Sequence, residues 1–467
     1  MKKRPPLSPD MTRRDLLLGV GAAGASALFG LLRPAFAEQF GTKVTWTGYE
    51  KCEAAPLKAQ AAMNSRGVVT RKSISTLSEH SDELRMFKEA VGVLRARTER
   101  NPMHPNGWAA IAAQHSLYCS GAVHGLQVHW SWLFLPWHRG FLYHLERTLA
   151  AAIGERTLAL PYWDSSSDQM IPSHYWSEGN PLYDNTRLQR PEDRIPLDFM
   201  DVNACLMPRD FRTFGGYPYV SDDQEMVEGV MESAFHNNNH NWIGGNMATF
   251  WNAGYDPIFS AHHNNIDRAW AAWAAMPGHS MPEEKAWLDT VFTYSDPFGQ
   301  PARMKIRDML NTEAMGYRFD TLEFAQPNIT PPRLNGAATG YAVAVDPSQR
   351  KVIANALRTG REYVTLRFTR VQANRLAVPL CARVFLGLDN EQPDFVTTVT
   401  LLPVQNGGAA NLNEHVTVQM ALRAGFAKQI ESGKKLVAYL DPVPLRGRQI
   451  PEGAVKLDGV DVKLVAS

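Results

Sequence analysis

Apolar residues recur at steps of three and four in the N-terminal two thirds of the chain, which is the spacing of one buried face of an α-helix. In the segment 81–97 they stand at Leu84, Phe87, Val91 and Leu94. The same spacing predicts helices up to His115 and over 136–154, 223–240 and 256–275. The stretch 164–222 is rich in Pro, Gly, Asp and Asn and is predicted to form long loops.

Beyond residue 319 the pattern changes to short runs in which apolar and polar residues alternate, as in strands that bury one face. Pro327, Pro331 and Pro332 mark this change. The alternating runs cover 341–345, 363–368, 382–386, 395–402 and 435–439. The sequence therefore predicts a mainly α domain over 38–325, a linker over 326–334 and a β-sandwich-like domain over 335–467.

The first 37 residues are interpreted as an export signal and not as part of the fold. Arg13 and Arg14 precede a run rich in Gly, Ala and Leu, and Ala35-Phe36-Ala37 supplies a cleavage pattern. Paired arginines in this position are typical of the Tat route, which predicts a periplasmic or secreted protein. The alternative is a single N-terminal membrane anchor. No other run approaches the ~18–20 apolar residues of a spanning helix, so no stable membrane association is expected after signal removal.

Charge and cysteine content exclude several classes of protein. The 48 Lys and Arg residues nearly balance the 47 Asp and Glu residues, and no basic stripe indicates a nucleic-acid partner. Hydrophobic residues make up 44% of the chain, which provides for a large core and excludes global disorder. The four widely spaced cysteines argue against a zinc ribbon or a disulfide framework, although a single disulfide stays open.

Nine of the 14 histidines fall into two short segments, 115–144 and 236–263. Metal ligation is the main reason to gather imidazoles in this way. In the second segment His236 and His240 are four apart and share one helix face. A third imidazole comes from His262 or His263. The motif lacks the glutamate of His-Glu-x-x-His, which disfavours a zinc protease.

The first histidine segment supplies a matching set. His115 lies near the end of a predicted helix, and His138 begins another helix after Pro136. His129 lies nine residues before His138, out of phase on a helix, so the two converge only if His129 is on a loop. Two all-imidazole sites suit copper, because imidazole is a good copper ligand. Three imidazoles per copper leave room for dioxygen between two ions.

These segments resemble the two copper-binding regions of tyrosinases and catechol oxidases. The first region is matched by His115-Ser-Leu-Tyr-Cys119, Gln127-Val-His-Trp-Ser-Trp-Leu-Phe-Leu-Pro-Trp-His-Arg139 and Pro161-Tyr-Trp-Asp164. The second region is matched by His236-Asn-Asn-Asn-His-Asn-Trp-Ile-Gly244 and by the stretch 256–270. Tyr317-Arg-Phe319 is similar to the motif that closes the catalytic core of the family. The resemblance spans roughly residues 70–325.

The resemblance implies two copper ions with three histidine ligands each. The ligands would be His115, His129 and His138 for one ion and His236, His240 and His263 for the other. In the family the second histidine of the His-His pair binds, so His262 is not expected to be a ligand. The resemblance also implies a thioether between Cys119 and His129, the alternative being a free buried thiol. His124 and His144 have no counterpart in the motif and are expected to be structural or exposed.

Four further residues bear on the reaction by resemblance. Glu232 and Asn237 stand where hydroxylating tyrosinases hold a water that takes the phenol proton, and a carboxylate beside two coppers is expected to stay ionised. The alternative for Glu232 is a surface helix residue. Phe250 stands where plant-type enzymes carry a gate that narrows access, although it equally suits ordinary core. Ser260 replaces an aromatic residue of the plant motif, which opens space.

The C-terminal region resembles, in its position and in its β-like sequence pattern, the domain that covers the active site of pro-tyrosinases and plant polyphenol oxidases. An aromatic residue such as Tyr341, Phe385 or Phe395 would then plug the entrance. The alternative is a stabilising domain without a regulatory role.

The implied activity is ortho-hydroxylation of monophenols and oxidation of o-diphenols to o-quinones. Its partners would be small phenols and dioxygen. Within the same enzyme class the alternatives are a catechol oxidase or an o-aminophenol oxidase that does not hydroxylate monophenols. Outside it, the alternatives are a reversible dioxygen carrier and a copper-storing or structural protein.

Overall fold

The structure is a computed structural model. It describes residues 48–119, 128–219, 225–326, 328–335, 338–360, 362–372, 379–402, 415–446 and 455–465. The predicted signal peptide, residues 1–37, and His124 lie outside the described residues. Within the described part, none of the helices has the length and apolar character needed to cross a membrane.

The first part of the fold is helical and is built around one long central helix. Its helices are α1 (Pro56–Asn64), α2 (Asp82–Arg100), α3 (Trp108–Cys119), α4 (Phe134–Ile153), α5 (Val202–Leu206), α6 (Phe211–Gly215), α7 (Asn237–Ile243), α8 (Ile258–Ala275) and α9 (Lys285–Leu288). Short 3₁₀ turns lie at Tyr49–Cys52, Ile74–Thr76, Ser173–Tyr175, Leu197–Phe199, Gly245–Ala248, Ala253–Tyr255 and Ile306–Met309. Helix α4 packs against α1, α2 and α8, and almost all of its side chains are buried.

Local signals set the helix ends close to the predicted places. The hydroxyl of Ser81 accepts a hydrogen bond from the backbone N–H of Leu84 and caps α2, whose first turn is acidic and whose last turn is basic. Helix α4 ends at Gly154, which has a φ of 69°. The predictions of helices over 81–97, 136–154 and 256–275 are confirmed to within a few residues.

The strands are β1 (Val69–Arg71), β2 (Met226–Val227), β3 (Val291–Ser295), β4 (Pro301–Lys305), β5 (Tyr317–Phe319), β6 (Thr339–Ala344), β7 (Tyr363–Gln372), β8 (Leu380–Leu388), β9 (Asp394–Leu401), β10 (His415–Ala421), β11 (Leu436–Pro442) and β12 (Gly459–Val465). Two small sheets pair β1 with β5 and β3 with β4. The other strands form an eight-stranded sheet in the order β2-β10-β7-β12-β6-β11-β8-β9. Helix α10 (Arg350–Thr359) packs on β7 and β12, and α11 (Ala427–Glu431) packs on α10.

The prediction of a helical domain followed by a sheet-rich domain is confirmed. The C-terminal strands hydrogen-bond into one continuous sheet, whereas a sandwich would contain two facing sheets. Strand β8 belongs to both cores, because Cys381 packs with the helical core while Leu380 and Ala382 pack with the sheet core. Successive side chains of a strand point to opposite faces. One face of the sheet therefore lies against the helical domain.

The prediction of a helix over 223–240 was wrong in its first part. Met226–Val227 is an edge strand of the C-terminal sheet, and a π-helix covers Met231–His236 before α7 continues. Gly229 lies between the strand and the π-helix, where a Cβ would come within 2.4 Å of the Phe214 carbonyl oxygen. Pairing with β10 therefore overrides the local helical pattern.

Buried charges connect the N-terminal strand with the helices that carry the histidines. The Asp267 carboxylate accepts hydrogen bonds from Arg71, Arg139 and the hydroxyl of Tyr317. Arg71 also binds Glu146 on α4 and lies 3.5 Å from the Tyr317 ring centroid. Buried charges are tolerated when they are paired in this way. Tyr317, from the closing motif, thus ties β5 to the helical core.

His144 is a buried core residue, in line with the structural role expected of it. Its ring stacks on Tyr294 at a centroid distance of 5.0 Å, and its Nε2 lies 3.2 Å from the sulfur of Met304. Burial, assisted by Arg147, lowers the pKa of His144 to about 4. The folded protein therefore keeps this imidazole neutral where the unfolded chain, with a pKa near ~6.5, takes up a proton.

We expect His144→Gln to flatten the dependence of stability on pH. The folded-state pKa is depressed, so the protein has this part of its stability above pH ~6.5 and loses it as the pH falls toward 4. The loss from His144 is roughly 1–2 kcal/mol near pH 5. Thermal unfolding of the copper-free protein between pH 7 and 5 measures it. His80→Gln, at an exposed position, is the control, and an equal flattening in both variants would contradict the assignment.

Candidate metal centre

The structure places the predicted histidine ligands on helices and on one loop. His115 lies on α3, His138 lies on α4, and His129 lies in the loop that precedes α4. His236 ends the π-helix, His240 lies on α7, and His262 and His263 lie on α8. All of these side chains are buried. Because His129 lies on a loop and not on helix α4, it can converge with His138, as the nine-residue spacing between them required.

The seven histidines form two adjacent groups. We call them the first histidine group (His115, His129 and His138, with Cys119) and the second histidine group (His236, His240, His262 and His263). Within each group the potential ligand atoms all lie within 4.8 Å of one another. The two groups touch, because the rings of His138 and His263 stack at a centroid distance of 4.4 Å.

The rear nitrogens of three histidines are held by hydrogen bonds. The Nδ1 of His138 lies 2.8 Å from the Phe134 carbonyl oxygen, and the Nδ1 of His240 lies 2.6 Å from the Met247 carbonyl oxygen. The Nδ1 of His236 lies 2.8 Å from Oδ1 of Asn237. Carbonyl oxygens only accept, so each Nδ1 donates, and each neutral ring then presents an Nε2 lone pair forward.

The orientation of the Asn237 amide is fixed by its other partners. Its Nδ2 donates to Oε1 of Glu228 at 3.1 Å and to the carbonyl oxygen of Thr400 at 3.4 Å. Both partners are acceptors at these atoms, so the nitrogen faces them and Oδ1 faces His236.

The forward nitrogens of the second histidine group converge on one another. The Nε2 of His263 lies 3.0 Å from Nε2 of His240 and 3.3 Å from Nε2 of His236. Burial lowers the pKa of His129 and of His240 to about 3, and it lowers the pKa of the other histidines of both groups. The rings are therefore neutral. A proton on Nε2 of His263 can be donated to only one of the two neighbouring Nε2 atoms. A metal ion between the three nitrogens can bind all three.

Donor chemistry favours copper as that ion. Each group offers neutral imidazoles, and imidazole suits copper, zinc, iron and nickel, with copper at the top of the affinity order. His262 adds an imidazole that the family pattern does not use, and its ring stacks on His236 at a centroid distance of 5.3 Å. The residues present thus fit one metal ion per group.

Glu232 is fully buried behind the first histidine group. Its Oε1 lies 2.6 Å from Nδ1 of His129, and both of its oxygens accept from the backbone N–H of Trp130 at 3.0 Å. This corrects the alternative of a surface helix residue. Burial raises the pKa of Glu232 well above its ordinary value, and burial together with the charge of Glu232 does the same for Glu228. Two metal cations nearby would oppose this shift in Glu232.

Cys119 ends α3 and has its sulfur among the ligand atoms of the first histidine group. The side chain is completely buried, and burial raises the pKa of its thiol well above the ordinary value. A thiol kept protonated is a poor metal ligand, since the thiolate is the form that binds. The proximity leaves the cysteine available for a bond to an imidazole ring.

A small cavity lies above the histidines, and residues of both domains line it. It is lined by His115, His129, His236, His240, Met247, Ala248, Thr249, Phe250, Ala253 and Leu402. Phe250 lies over His129 at a ring centroid distance of 4.6 Å. The space admits a water-sized molecule and little more. A phenol therefore has no room while these residues stay in place.

Among the residues that the structure describes, the C-terminal domain contributes Leu402, which follows strand β9, to the lining of the cavity. The expectation that Tyr341, Phe385 or Phe395 fills this place was wrong, since none of them is among the lining residues. Phe385 and Phe395 pack against each other across β8 and β9, and Tyr341 packs on Phe368. The place of a residue in the folded domain, and not its aromatic character, therefore determines which side chain reaches the cavity.

Sequence reasoning missed several residues that shape the centre. Phe259 packs on His115 at 4.6 Å and on His263 at 4.1 Å between ring centroids. Glu228 and Trp130 contact residues beside the ligands. A signal existed for Glu228, because it stands four residues before Glu232, as Glu232 stands four before His236. No local signal marks Leu402.

Comparison with known proteins agrees with the geometry. Residues 105–212 and 183–276 match the family model described as the common central domain of tyrosinase. Residues 282–331 match the polyphenol oxidase middle domain.

Curated relatives include plant phenol oxidases. Polyphenol oxidase B, chloroplastic, of Solanum lycopersicum is 33% identical, over 85% of this chain and 78% of its own length. Catechol oxidase B, chloroplastic, of Solanum tuberosum is 32% identical, over 60% of this chain and 54% of its own length. The chain thus spans between about half and about three quarters of these two relatives.

Solved structures share the fold at low sequence identity. Latent apple tyrosinase superposes with a TM-score of 0.70 at 22% identity, covering 86% of this chain and 98% of that chain. A functional unit from octopus hemocyanin gives a TM-score of 0.55 at 17% identity, covering 86% of this chain and 100% of that chain. The two histidine groups, the family models and the tomato relative lead to one conclusion: the chain belongs to the tyrosinase and polyphenol oxidase family, whose members hold a dinuclear copper centre.

Proposed function

We propose that the protein oxidises o-diphenols to o-quinones and ortho-hydroxylates monophenols, with dioxygen as oxidant. The observation that carries the proposal is the meeting of two groups of neutral, buried imidazoles beneath a cavity. In the diphenol reaction each o-diphenol loses two electrons and two protons and becomes an o-quinone. One dioxygen takes the electrons and protons of two such phenols and leaves as two waters.

The proposed ligands are His115, His129 and His138 for one copper and His236, His240 and His263 for the other. Bound copper would supply the dioxygen binding and electron transfer that side chains alone do not provide. The protein residues supply geometry: hydrogen bonds at the rear nitrogens hold the rings of His129, His138, His236 and His240 with Nε2 directed forward. His262 would stay out of the ligand set and pack behind His236.

Glu232 and Asn237 would act on the phenol proton through one water. They support His129 and His236 from behind and lie beside rings that line the cavity. Burial raises the pKa of Glu232, which makes this carboxylate a stronger base than an exposed one. Proton acceptance by Glu232 would therefore favour the phenolate form of the substrate at neutral pH.

The C-terminal sheet would cover the site until it moves or is removed. Leu402 from this domain and Phe250 from the helical domain line the same cavity, which has no room for a phenol. The apple tyrosinase whose fold is shared over most of both chains is a latent form. A cover also explains why a sheet face is buried against the helical domain.

The names of the relatives support both halves of the proposed activity. The potato relative is a catechol oxidase, and a relative from Larrea tridentata, 31% identical over 52% of this chain and 48% of its own length, is a (+)-larreatricin hydroxylase. The alternative inside the class is therefore a catechol or o-aminophenol oxidase without hydroxylation of monophenols. The fold shared with octopus hemocyanin keeps a dioxygen carrier as the alternative outside it.

Export by the Tat route remains part of the proposal. Arg13, Arg14 and the Ala35-Phe36-Ala37 pattern support it, and several curated relatives are described as chloroplastic. Cleavage after Ala37 would make Glu38 the first residue of the mature protein. A peptide map of protein from the native host reads this residue directly, and a retained Met1 would contradict removal of the signal.

We expect oxygen uptake by the copper-loaded protein with both tyrosine and L-DOPA as substrates, once mild proteolysis of the C-terminal domain has opened the cavity. Hydroxylation of tyrosine needs the proton acceptor as well as the two coppers, so uptake with L-DOPA should be faster. Uptake with L-DOPA alone would reduce the function to a catechol oxidase. Dioxygen binding without uptake on either substrate would indicate a carrier. The copper-free protein is the control.

We expect Leu402→Ala to raise kcat/KM for L-DOPA severalfold, because it removes the side chain that the C-terminal domain places in the cavity. Leu401→Ala is the matched control, since Leu401 is equally buried but is not a lining residue. Oxygen electrode assays and melting temperatures of both variants measure the effect. Unchanged kcat/KM in Leu402→Ala, or the same rise in both variants, would count against the cover.

We expect the peptides that contain Cys119 and His129 to be joined by a thioether in the copper-loaded protein. Forming the C–S bond removes one hydrogen from the thiol and one from the ring, with dioxygen as the electron acceptor. Mass spectrometry of a reduced digest should find one linked peptide, two hydrogens lighter than the sum of its parts. Cys205→Ala should keep the linked peptide and Cys119→Ala should lose it. Two separate peptides from the loaded protein would exclude the bond.

A further inference from the structure

A second buried carboxylate, Glu228, stands behind the histidines and belongs to none of the motifs that carry the resemblance. Its side chain is 1% exposed. Its Oε1 accepts a hydrogen bond from Nδ2 of Asn237 at 3.1 Å, and the neighbouring side chain of Trp130 lowers the pKa of the carboxylate. Polar neighbours of this kind orient a buried carboxylate, since they offset part of its lost hydration.

The two partners of Glu228 come from different histidine groups. Trp130 directly follows His129 of the first histidine group, and Asn237 directly follows His236 of the second. The rings of His129 and His236 lie with their centroids 5.7 Å apart. Glu228 therefore bridges the residues next to one proposed ligand of each copper.

The backbone of Trp130 shows that this bridge is imposed on the chain. Trp130 has a φ of 56°, in the left-handed region that large side chains rarely adopt. In this conformation its N–H donates to Glu232 while its indole reaches Glu228. Strained conformations of this kind persist where surrounding contacts over-determine them.

The C-terminal sheet holds Glu228 from the other side. The N–H of Glu228 donates to the Thr417 carbonyl oxygen on β10 at 3.1 Å, directly after the pairing of β2 with that strand. Asn237 donates to the Thr400 carbonyl oxygen on β9, and Asn238 exchanges hydrogen bonds with Thr398 and Thr400. Glu228 and its partner Asn237 are thus both anchored in the C-terminal domain.

We propose that Glu228 is a positioning residue that fixes the separation of the two histidine groups, and that the C-terminal sheet keeps it in place. The inference rests on the proposed ligand assignment but not on the phenol chemistry. It makes the C-terminal domain a structural part of the copper centre as well as a cover.

The test uses the full copper-loaded chain with Glu228→Leu, Glu228→Gln and a control at the same domain interface. Asp198→Asn is that control, because Asp198 is a buried carboxylate that binds Arg383 and Thr398 of the sheet but touches no histidine. The measurements are copper release to a chelator, the copper–copper distance from X-ray absorption, and kcat and KM for L-DOPA. Melting temperatures of the copper-free proteins report general loss of stability.

Glu228→Leu should release copper about 10–100-fold faster, the range found when partners that orient metal ligands are lost. Its copper–copper distance should change and its kcat should fall with KM little altered. Glu228→Gln keeps one acceptor oxygen and should show a smaller effect. Asp198→Asn should keep wild-type copper release even where its melting temperature falls.

Wild-type copper release and distance in Glu228→Leu would overturn the proposal, as would equal acceleration in Asp198→Asn. If Glu228→Leu does not fold, copper release and the copper–copper distance of Glu228→Gln are compared with those of Asp198→Asn, and this comparison decides. A wild-type protein that binds two coppers but oxidises no phenol would remove the proposed function. Copper release and the copper–copper distance would still decide the role of Glu228.

Discussion

Three imidazole nitrogens meet in the buried interior of this protein, and the surrounding structure is organised to keep them there. Nε2 of His263 lies 3.0 and 3.3 Å from those of His240 and His236. Burial keeps the three rings neutral, and hydrogen bonds at the rear of His236 and His240 direct their lone pairs toward Nε2 of His263. Such an arrangement is unfavourable until a cation lies between the three nitrogens, so metal binding and folding are linked.

The helices were predictable from sequence because their information is local. The steps of three and four that identify α2 and the spacing of His236 and His240 depend on helix geometry alone. The spacing alone left the third ligand of the second segment open between His262 and His263. The resemblance to the family motifs then favoured His263. The structure brings these histidines together, as the two segments required.

The failures of sequence reasoning lie where distant segments meet. Residues 226–227 carry a helical pattern but pair with β10, whose backbone groups exist only once the C-terminal sheet has formed. Leu402 reaches the cavity because β9 ends there, whereas the aromatic candidates pack within the sheet region. Glu228 was visible as a carboxylate four residues before Glu232, but its partners Trp130 and Asn237 are far apart in sequence.

Strand β2 also sets the order in which the molecule can be assembled. A chain is made from its N-terminus, so the segment with Met226 and the histidines emerges long before its partner Val416. Contacts between such distant positions form late, because closing a long loop costs entropy that local contacts do not. During synthesis there is thus an interval in which the helical core exists while the cavity is still open on the side that Leu402 later closes. In that interval no Leu402 side chain stands between solvent and the histidines.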